Sequence, residues 1–588
     1  MDIREQLFSK PLPSNRTGAF FNAFSYPTKI SPESIAVYIA SLTKPGETVL
    51  DTFGGSGSTG IAALLCEHPT SKMIELAEEL GVSPVWGKRN AISYELGTYG
   101  SFAARTITNR LSSIEFTKTV EEFVCKAEKE LKKYYQTKDP NGEKGEIRHV
   151  IWTEVLLCPN CKTELAYFDN AVQRNPVSFN SSIKCSTCGC ETNVDDMDFI
   201  VEDYFDSLLQ KKLKRKKRIP AWVYGSTAGK NWDRAANKDD ILIEKELEND
   251  SYGGDIKSIQ WGEHHRRGYH YGIDYLHQFY TCRNYFVMNT LWKMTEAYDE
   301  KMRDALKLLL LSYNASNCTM MTRVVAKKNS KDFVLTGAQS GVLYISRLPV
   351  EKNILLGLKR KAKPIGEAYK LLEKCTGTYI VHNSSSRKLV EENESVDFVF
   401  TDPPFGDFIP YAEVNQINEL WLEKATDRSE EIIISESQKK SLTEYQTMLT
   451  DVFCEICRVL KPDGYATVVF HAAKAKVWEA FKGVIDESGL NVRLTNILDK
   501  KQASFKQVVS EDSVQGDPLI LLEKNMVRAQ KLDKDGDWLK EICNRVSDEN
   551  GDERRIYSLY VNECLSRNVE VKYDAKKAYE IIRRLRKV

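Results

Sequence analysis

The sequence predicts an α/β protein: an open, mostly parallel sheet whose strands come from two stretches far apart in the chain, with a large insertion between them and a helical tail behind. Three observations carry this. Short runs rich in β-branched and aromatic residues alternate with amphipathic stretches over residues 20–105 and again after Lys370. Two of those runs end in loops suited to the rim of such a sheet, Asp51 to Gly60 and Asp402 to Asp407. Between them the alternation is lost, and paired cysteines and a basic run take its place. A chain of 588 residues is too long for one core, so roughly two to four domains are expected. The expected division is 1–110 and 370–524 for the two parts of the sheet domain, 111–369 for the insertion and 525–588 for a separate tail with charge on most faces.

The balance of 83 basic and 83 acidic residues leaves no global field to attract nucleic acid, so any such affinity must come from local patches. A hydrophobic content of 42% and a charged content of 28% are ordinary for a soluble globular protein. No apolar run approaches the roughly 18 residues of a membrane span, and no charged segment followed by an apolar one opens the chain. The expectation is a cytoplasmic protein with no membrane partner. In that setting the 14 cysteines read as thiols and metal ligands sooner than disulfides.

Taken in order, Phe21 to Leu42 gives an aromatic loop feeding an amphipathic helix, with Pro32 in the first turn behind Ser31 as N-cap. A Lys44-Pro45-Gly46 turn leads to a strand, Glu47 to Asp51, and then to the loop Thr52-Phe53-Gly54-Gly55-Ser56-Gly57-Ser58-Thr59-Gly60, from which a helix opens. The glycines let the backbone approach a ligand, and the helix start favours anionic groups. A tight strand-to-helix turn would use the same residues. A Walker loop is excluded by the absence of Gly-Lys-Ser/Thr, and GxGxxG is not matched. Residues Arg89 to Gly97 give a second strand ending at Glu95, placed to accept from ribose hydroxyls. The gap from Asp51 exceeds the usual spacing of about 20 residues, which an extra helix near Lys72 to Leu80 accounts for.

The middle opens with a charged helix, Val120 to Tyr135, and then carries Cys158-Pro159-Asn160-Cys161 and Cys185-Ser186-Thr187-Cys188-Gly189-Cys190. Two CxxC knuckles a short span apart are what a tetrahedral thiolate site needs. The expected ligands of a structural Zn²⁺ are Cys158, Cys161, Cys185 and Cys188, with Cys190 able to replace Cys188. The basic run Lys211 to Arg218, near Trp222, Tyr224 and Trp232, suits phosphates and stacked bases, or is a solvated face. His264, His265 and His270 read as polar surface or satisfied hydrogen bonders sooner than a second metal site.

After Lys370 the alternation resumes with Thr378 to Ser386 and then Val396 to Asp407, VDFVFTDPPFGD. Two prolines lack N–H groups and end the strand in a stiff loop. Asp402, the Pro403 carbonyl and the Phe405 ring offer two acceptors and a stacking face, which suit a planar amine-bearing base. A plain Asp-Pro turn is the alternative. Two helices, a Lys-Pro-Asp-Gly turn, the strand Tyr465 to His471, a helix through Lys476 to Gly489 and two closing strands complete the sheet.

With these motifs assembled, the chain resembles the exocyclic-amine, adenine-specific DNA methyltransferases, and most closely their large zinc-ribbon subgroup. The resemblance rests on PTKISPE, DTFGGSGSTG, the two CxxC pairs, FYTCRNYFVMNTLWK, TDPPFGDFIPYAEVNQINELWL and ICRVLKPDGYATVVFH. It implies a Rossmann-like S-adenosylmethionine-dependent methyltransferase sheet. The cofactor would be held by Thr28, Lys29, Asp51, Phe53, Gly54, Gly55, Ser56, Gly57, Ser58, Thr59 and Glu95. Catalysis would lie with Asp402, Pro403, Pro404 and Phe405, acting on the N6 of an adenine flipped from double-stranded DNA. A restriction-modification or defence role, with partner proteins, is also implied. The chain departs from the family in having Phe where Tyr is commoner after the prolines, and in lacking an acid in HNSSS.

N4-cytosine methylation uses the same acceptors. RNA guanosine-N2 methylation fits less well, because about 340 residues separate the two loops and nothing sizeable precedes the first. A catalytically silent zinc-ribbon DNA-binding subunit is the non-enzymatic alternative, against which an intact Asp402 and glycine loop argue.

Overall fold

The computed structural model describes residues 2–249, 254–327, 332–339, 341–499, 516–524, 538–546 and 552–586. Its central sheet has eight strands: β1 (Leu12–Pro13), β2 (Thr48–Asp51), β3 (Asn90–Tyr94), β4 (Tyr379–His382), β5 (Val396–Thr401), β6 (Leu460–Val469), β7 (Leu490–Asp499) and β8 (Asp517–Lys524). Across the sheet they run β1-β7-β8-β6-β5-β2-β3-β4. Neighbours are parallel except around β8, which is antiparallel to β6 and β7. The mixed α/β architecture therefore agrees with the sequence. From β2 the chain moves outward to β3 and β4, then returns to lay β5 on the other side of β2. That reversal makes the β2/β5 seam the topological switch point, where an open α/β sheet forms a crevice beyond the strand ends.

β5 shows why its run is apolar throughout. Phe398 and Phe400 pack into one core and Val399 into the core on the opposite face, so the strand is buried on both sides. Two local expectations differ in detail. Ser31 precedes the helix Pro32–Leu42, but its hydroxyl donates to Glu33 (2.7 Å) instead of capping a backbone N–H. Lys461 to Gly464 are not a turn ahead of a strand but an irregularity inside β6, where the register jumps between Leu460 and Tyr465. Pro462 has no N–H to continue the ladder there.

Residues beyond β8 were expected to stand apart. Their described helices, Trp538–Arg545, Glu553–Ser566 and Ala575–Arg586, instead lie on the sheet. Ile556, Tyr560 and Leu565 share a core with Val468, Ile520 and Leu522, and Asn562 donates to the Asn496 carbonyl of β7 (3.0 Å). Charge dominates the composition of these helices, but each keeps one apolar stripe, which is enough to dock. Residues 525–537, 547–551, 587 and 588 of the expected tail lie outside the described residues.

The insertion between β3 and β4 is built on a long strand, Lys144–Leu157, paired with Arg218–Thr227 and with several short strands including Val350–Lys352. The basic run is committed on one side only. Lys211–Lys216 pairs with Val201–Asp206; Arg215 meets Glu202 (2.8 Å) and Glu248 (2.6 Å), and Lys216 (3.1 Å) and Arg218 (3.0 Å) meet Glu154, while Lys211, Lys212 and Lys214 stay exposed. The nearby rings are held too, Trp222 by Asp233 and Trp232 by Thr227, both at 2.9 Å. No helix among the described residues is long and apolar enough to cross a membrane.

Candidate active site

At the β2/β5 seam the two loops meet. Thr401, the last residue of β5, donates to the Asp51 carboxylate at the end of β2 (2.8 Å), and the Thr52 and Thr401 hydroxyls are 3.1 Å apart. Asp51 also accepts from the Phe53 N–H (3.0 Å), which folds the start of the glycine loop back on the strand end. Gly57, at φ +87, closes that loop and precedes the helix Ser58–Leu65. Gly60 lies in that helix under the Tyr379 ring of β4; a Cβ there would stand 2.1 Å from the ring. The residue type is thus dictated by a neighbour over 300 positions away.

A cavity opens beyond these strand ends. Of the residues the sequence singles out, Thr28, Lys29, Asp51, Phe53, Gly54, Gly55, Ser56, Ser58, Thr59, Glu95, Asp402 and Pro404 line it. Gly57, Pro403 and Phe405 are not on its wall. Phe405 packs its ring against Phe470 (5.7 Å) and His471 (5.8 Å). The Pro404 carbonyl accepts from the Tyr445 hydroxyl (2.7 Å), pinning the loop one residue beyond the Pro403 carbonyl. Lys29 lies on the wall, but its ammonium turns away. It donates to the carbonyls of Phe20 (2.8 Å) and Phe24 (2.9 Å), and burial holds its pKa well below the usual lysine value.

The acids of the cavity are under strain from burial. Glu95 accepts the Gly55 and Gly97 N–H groups, both at 2.6 Å, yet burial pushes it up to about 8. Asp51 is pushed by burial up to about 6 despite its three hydrogen bonds. Two buried carboxyls that ionise reluctantly favour a cationic occupant. The ammonium and sulfonium of S-adenosylmethionine, with its ribose hydroxyls as donors, fit that set.

The rest of the wall escaped the sequence reading. Tyr26 and Tyr411 stack at 6.3 Å, and the Tyr411 hydroxyl bonds Thr28 Oγ1 (2.9 Å), so the segment before the helix Pro32–Leu42 and the one after Asp402 close one side together. Ser384 to Ser386 line another part, where HNSSS lacks an acid, and Thr426 with Glu430 to Ile432 line a third. The aromatics of residues 20–26 were a visible signal; residues 426–432 carried none.

In the insertion, the sulfurs of Cys158, Cys161, Cys185 and Cys188 all lie within 4.8 Å of one another, the only such cluster of possible metal ligands among the described residues. Cys158 and Cys188 are 3.7 Å apart and Cys161 and Cys185 3.5 Å. A tetrahedron with Zn–S near 2.3 Å places sulfurs about 3.8 Å apart, so the set fits zinc. Cys190 lies outside the cluster, its Sγ near Thr192 (3.5 Å). The histidines do not form a second one: His270 is buried against the Leu343 carbonyl and pushed down to about 4 by burial.

Comparison with known proteins adds the following. A family model described as DNA methylase matches residues 6–80. No curated protein matches the sequence. Among solved structures, the antibiotic-resistance methyltransferase Kmr is 12% identical, covering 28% of this chain and 73% of its own, with a TM-score of 0.16. The PH0226 protein from Pyrococcus horikoshii OT3 is 14% identical, covering 29% and 68%, with a TM-score of 0.15. Scores that low establish no common fold. What stands is that residues 6–80, which hold β2 and the glycine loop, carry the sequence pattern of the DNA methylases.

Proposed function

We propose that the chain is an S-adenosylmethionine-dependent DNA methyltransferase that methylates the exocyclic N6 of adenine in double-stranded DNA. The observation that carries this is the Thr401–Asp51 hydrogen bond, which joins the cofactor-type glycine loop and the Asp402-Pro403-Pro404-Phe405 loop at one cavity. The bound cofactor supplies an electrophilic methyl. Asp51 and Glu95 would receive its cationic and hydroxyl groups, while Phe53 to Thr59 let the backbone come close, with the Phe53 and Gly55 N–H groups already holding those two carboxyls in place. Thr28 and Lys29 contribute through backbone position, since the lysine ammonium is committed elsewhere.

An aromatic amine is a weak nucleophile because its lone pair is delocalised into the ring. Asp402, on the wall, and the Pro403 carbonyl, once its loop has turned it to the cavity, accept its two N–H groups, localise the lone pair and aim it at the methyl. Alignment and charge stabilisation supply the rate, and no full proton abstraction is required beforehand. The target base must leave the duplex to arrive, and Phe405 stacks on it after turning from its present packing. Cytosine N4 would use the same two acceptors. The cysteine set holds a structural zinc within an insertion spanning 111–369, which reads the DNA, while 1–110 and 370–524 form the catalytic domain with 525–588 behind it. Restriction or defence proteins are the partners this reading implies.

The test is transfer of tritiated methyl from S-adenosylmethionine to duplex DNA and to tRNA side by side, followed by nucleoside analysis. N6-methyladenine in DNA is the expected product. N2-methylguanosine in RNA, or no label in either, overturns the reading.

A further inference from the structure

Where the insertion meets the catalytic half, one short segment is gripped. The helix Tyr411–Glu419 begins on the cavity wall with Tyr411 and Ala412. The next residue, Glu413, is buried and accepts from the backbone N–H groups of Gly262 (2.7 Å) and His264 (3.1 Å). Gln416, one turn on, pairs with the backbone of Gln260 in both directions, accepting at 2.9 Å and donating at 3.3 Å. In return Glu263 accepts from the Ser435 hydroxyl (2.7 Å) and the Ser437 N–H (2.9 Å), just past the wall residue Ile432. The approach is close: a Cβ on Gly262 would lie 3.0 Å from Glu413 Oε2. Charge-assisted bonds of this kind, buried, are expensive to lose.

Beyond His264 the same segment turns outward. His265, Arg266 and Tyr269 are exposed, Tyr269 at 42%, while Trp261 and His270 anchor the two ends of the excursion with rings 4.5 Å apart. A small basic and aromatic excursion, ending in the helical turn Arg267–His270, therefore stands on the surface, only a few residues from those that fix the helix after Asp402. Arg266 Nη1 donates to the carbonyls of Glu263 (2.8 Å) and His265 (3.0 Å), which fixes the side chain; its other N–H groups suit phosphate oxygens, which position a protein on a duplex without reading sequence.

Resting on the function proposed above, we infer that residues 260–269 form a strap: its outer loop, His265 to Tyr269, contacts the phosphate backbone of the substrate duplex, and its inner end holds the Asp402 loop in register through the positioning residue Glu413. Duplex binding outside thereby steadies the acceptors inside.

Two measurements on the full chain test this. The first is binding of a fluorescent duplex over a salt series. Arg266→Ala and Arg266→Gln, both surface changes that remove one formal cation, are each expected to reduce the slope of log affinity against log salt by about 0.9, one phosphate contact. The second is hydrogen exchange over residues 402–410 with and without duplex. Protection on adding duplex is expected in the wild type and lost in Glu413→Gln, with Gln416→Ala as a gentler variant should the first fold poorly. Unchanged salt slopes in both outer variants, or protection that survives both inner ones, overturn the strap. Neither readout needs methyl transfer. Slopes and protection that behave as expected without label in DNA would keep the strap and remove the methyltransferase reading; label with unchanged slopes would do the reverse.

Discussion

Thr401 reaches Asp51 across 350 residues of sequence, whereas Cys158 and Cys188 stand 3.7 Å apart across only 30. The cavity is assembled late, from strands that pair only when the sheet closes, and a deep core on each face holds it. The cysteine cluster is assembled locally, and two of the buried residues in its small core, Cys158 and Cys185, are themselves members of the cluster. One site is stabilised by burial around it; the other has only a small core and, on the proposed reading, would draw the rest from an ion. Perturbations should therefore separate: metal loss ought to disturb the ribbon alone, and strand-end changes the cavity alone.

The largest expected effect tests the ribbon. Cys158→Ser should abolish stoichiometric zinc by elemental analysis, removing on the order of 10 kcal/mol of metal-coupled folding energy there. Hydrogen exchange should rise over residues 158–190 and stay unchanged in β2 and β5; exchange rising in both would break the comparison. Next comes Asp402→Ala, expected to cut single-turnover methyl transfer by roughly 10²- to 10³-fold, as for loss of a preorganised partner, with cofactor affinity by calorimetry nearly unchanged.

The pH dependence is a third and smaller effect. Burial raises Glu95 from 4.5 to about 8 and Asp51 from 3.8 to about 6. The folded state thus binds these protons more tightly than the unfolded chain. Their contribution to stability is fully present below the ordinary carboxylate values and is lost as pH rises through 6 and then 8. A cationic ligand reverses the cost, so the increase in Tm on adding S-adenosylmethionine should grow between about pH 6 and pH 8. Glu95→Gln should flatten the upper part of that rise, and a flat wild-type profile would argue against the buried pair. Smallest is Gly60→Ala, whose methyl meets the Tyr379 ring. Overpacking of this kind costs about 1–3 kcal/mol, read as a lower midpoint in urea with zinc content intact.

What the sequence made legible follows the same division. CxxC knuckles are local, and both pairs appear as spacing alone. Asp51 and Asp402 were legible because each closes an apolar run whose residues are buried on both faces. Ser384 to Ser386 showed only as the HNSSS that lacks the family's acid, and Glu430 to Ile432 did not show at all, since they reach the cavity only through the order of strands and nothing in their own chemistry marks them. The basic run left two readings open for a related reason: the carboxylate partners of Arg215, Lys216 and Arg218, which are Glu154, Glu202 and Glu248, lie on other segments, and pairing across strands cannot be seen from composition. The apolar stripes of Glu553–Ser566 and Ala575–Arg586 were masked by the charge around them.

The pairing of β3 with β4 has a consequence for synthesis. Ser93 and Tyr379, hydrogen-bonded at 2.8 Å, are separated by 286 positions. The entropy of closing so long a loop grows only logarithmically, so the finished protein tolerates the insertion. Time is another matter. At the about 5–20 residues per second of translation, β3 emerges tens of seconds before β4, and β5 later still. During that wait Asp51 lacks Thr401, and the edges of β2 and β3 stay open to other chains. A nascent chain stalled inside the insertion should thus be a preferred client of strand-binding chaperones, and a ribbon that folds early on its own ion would shorten the stretch left exposed.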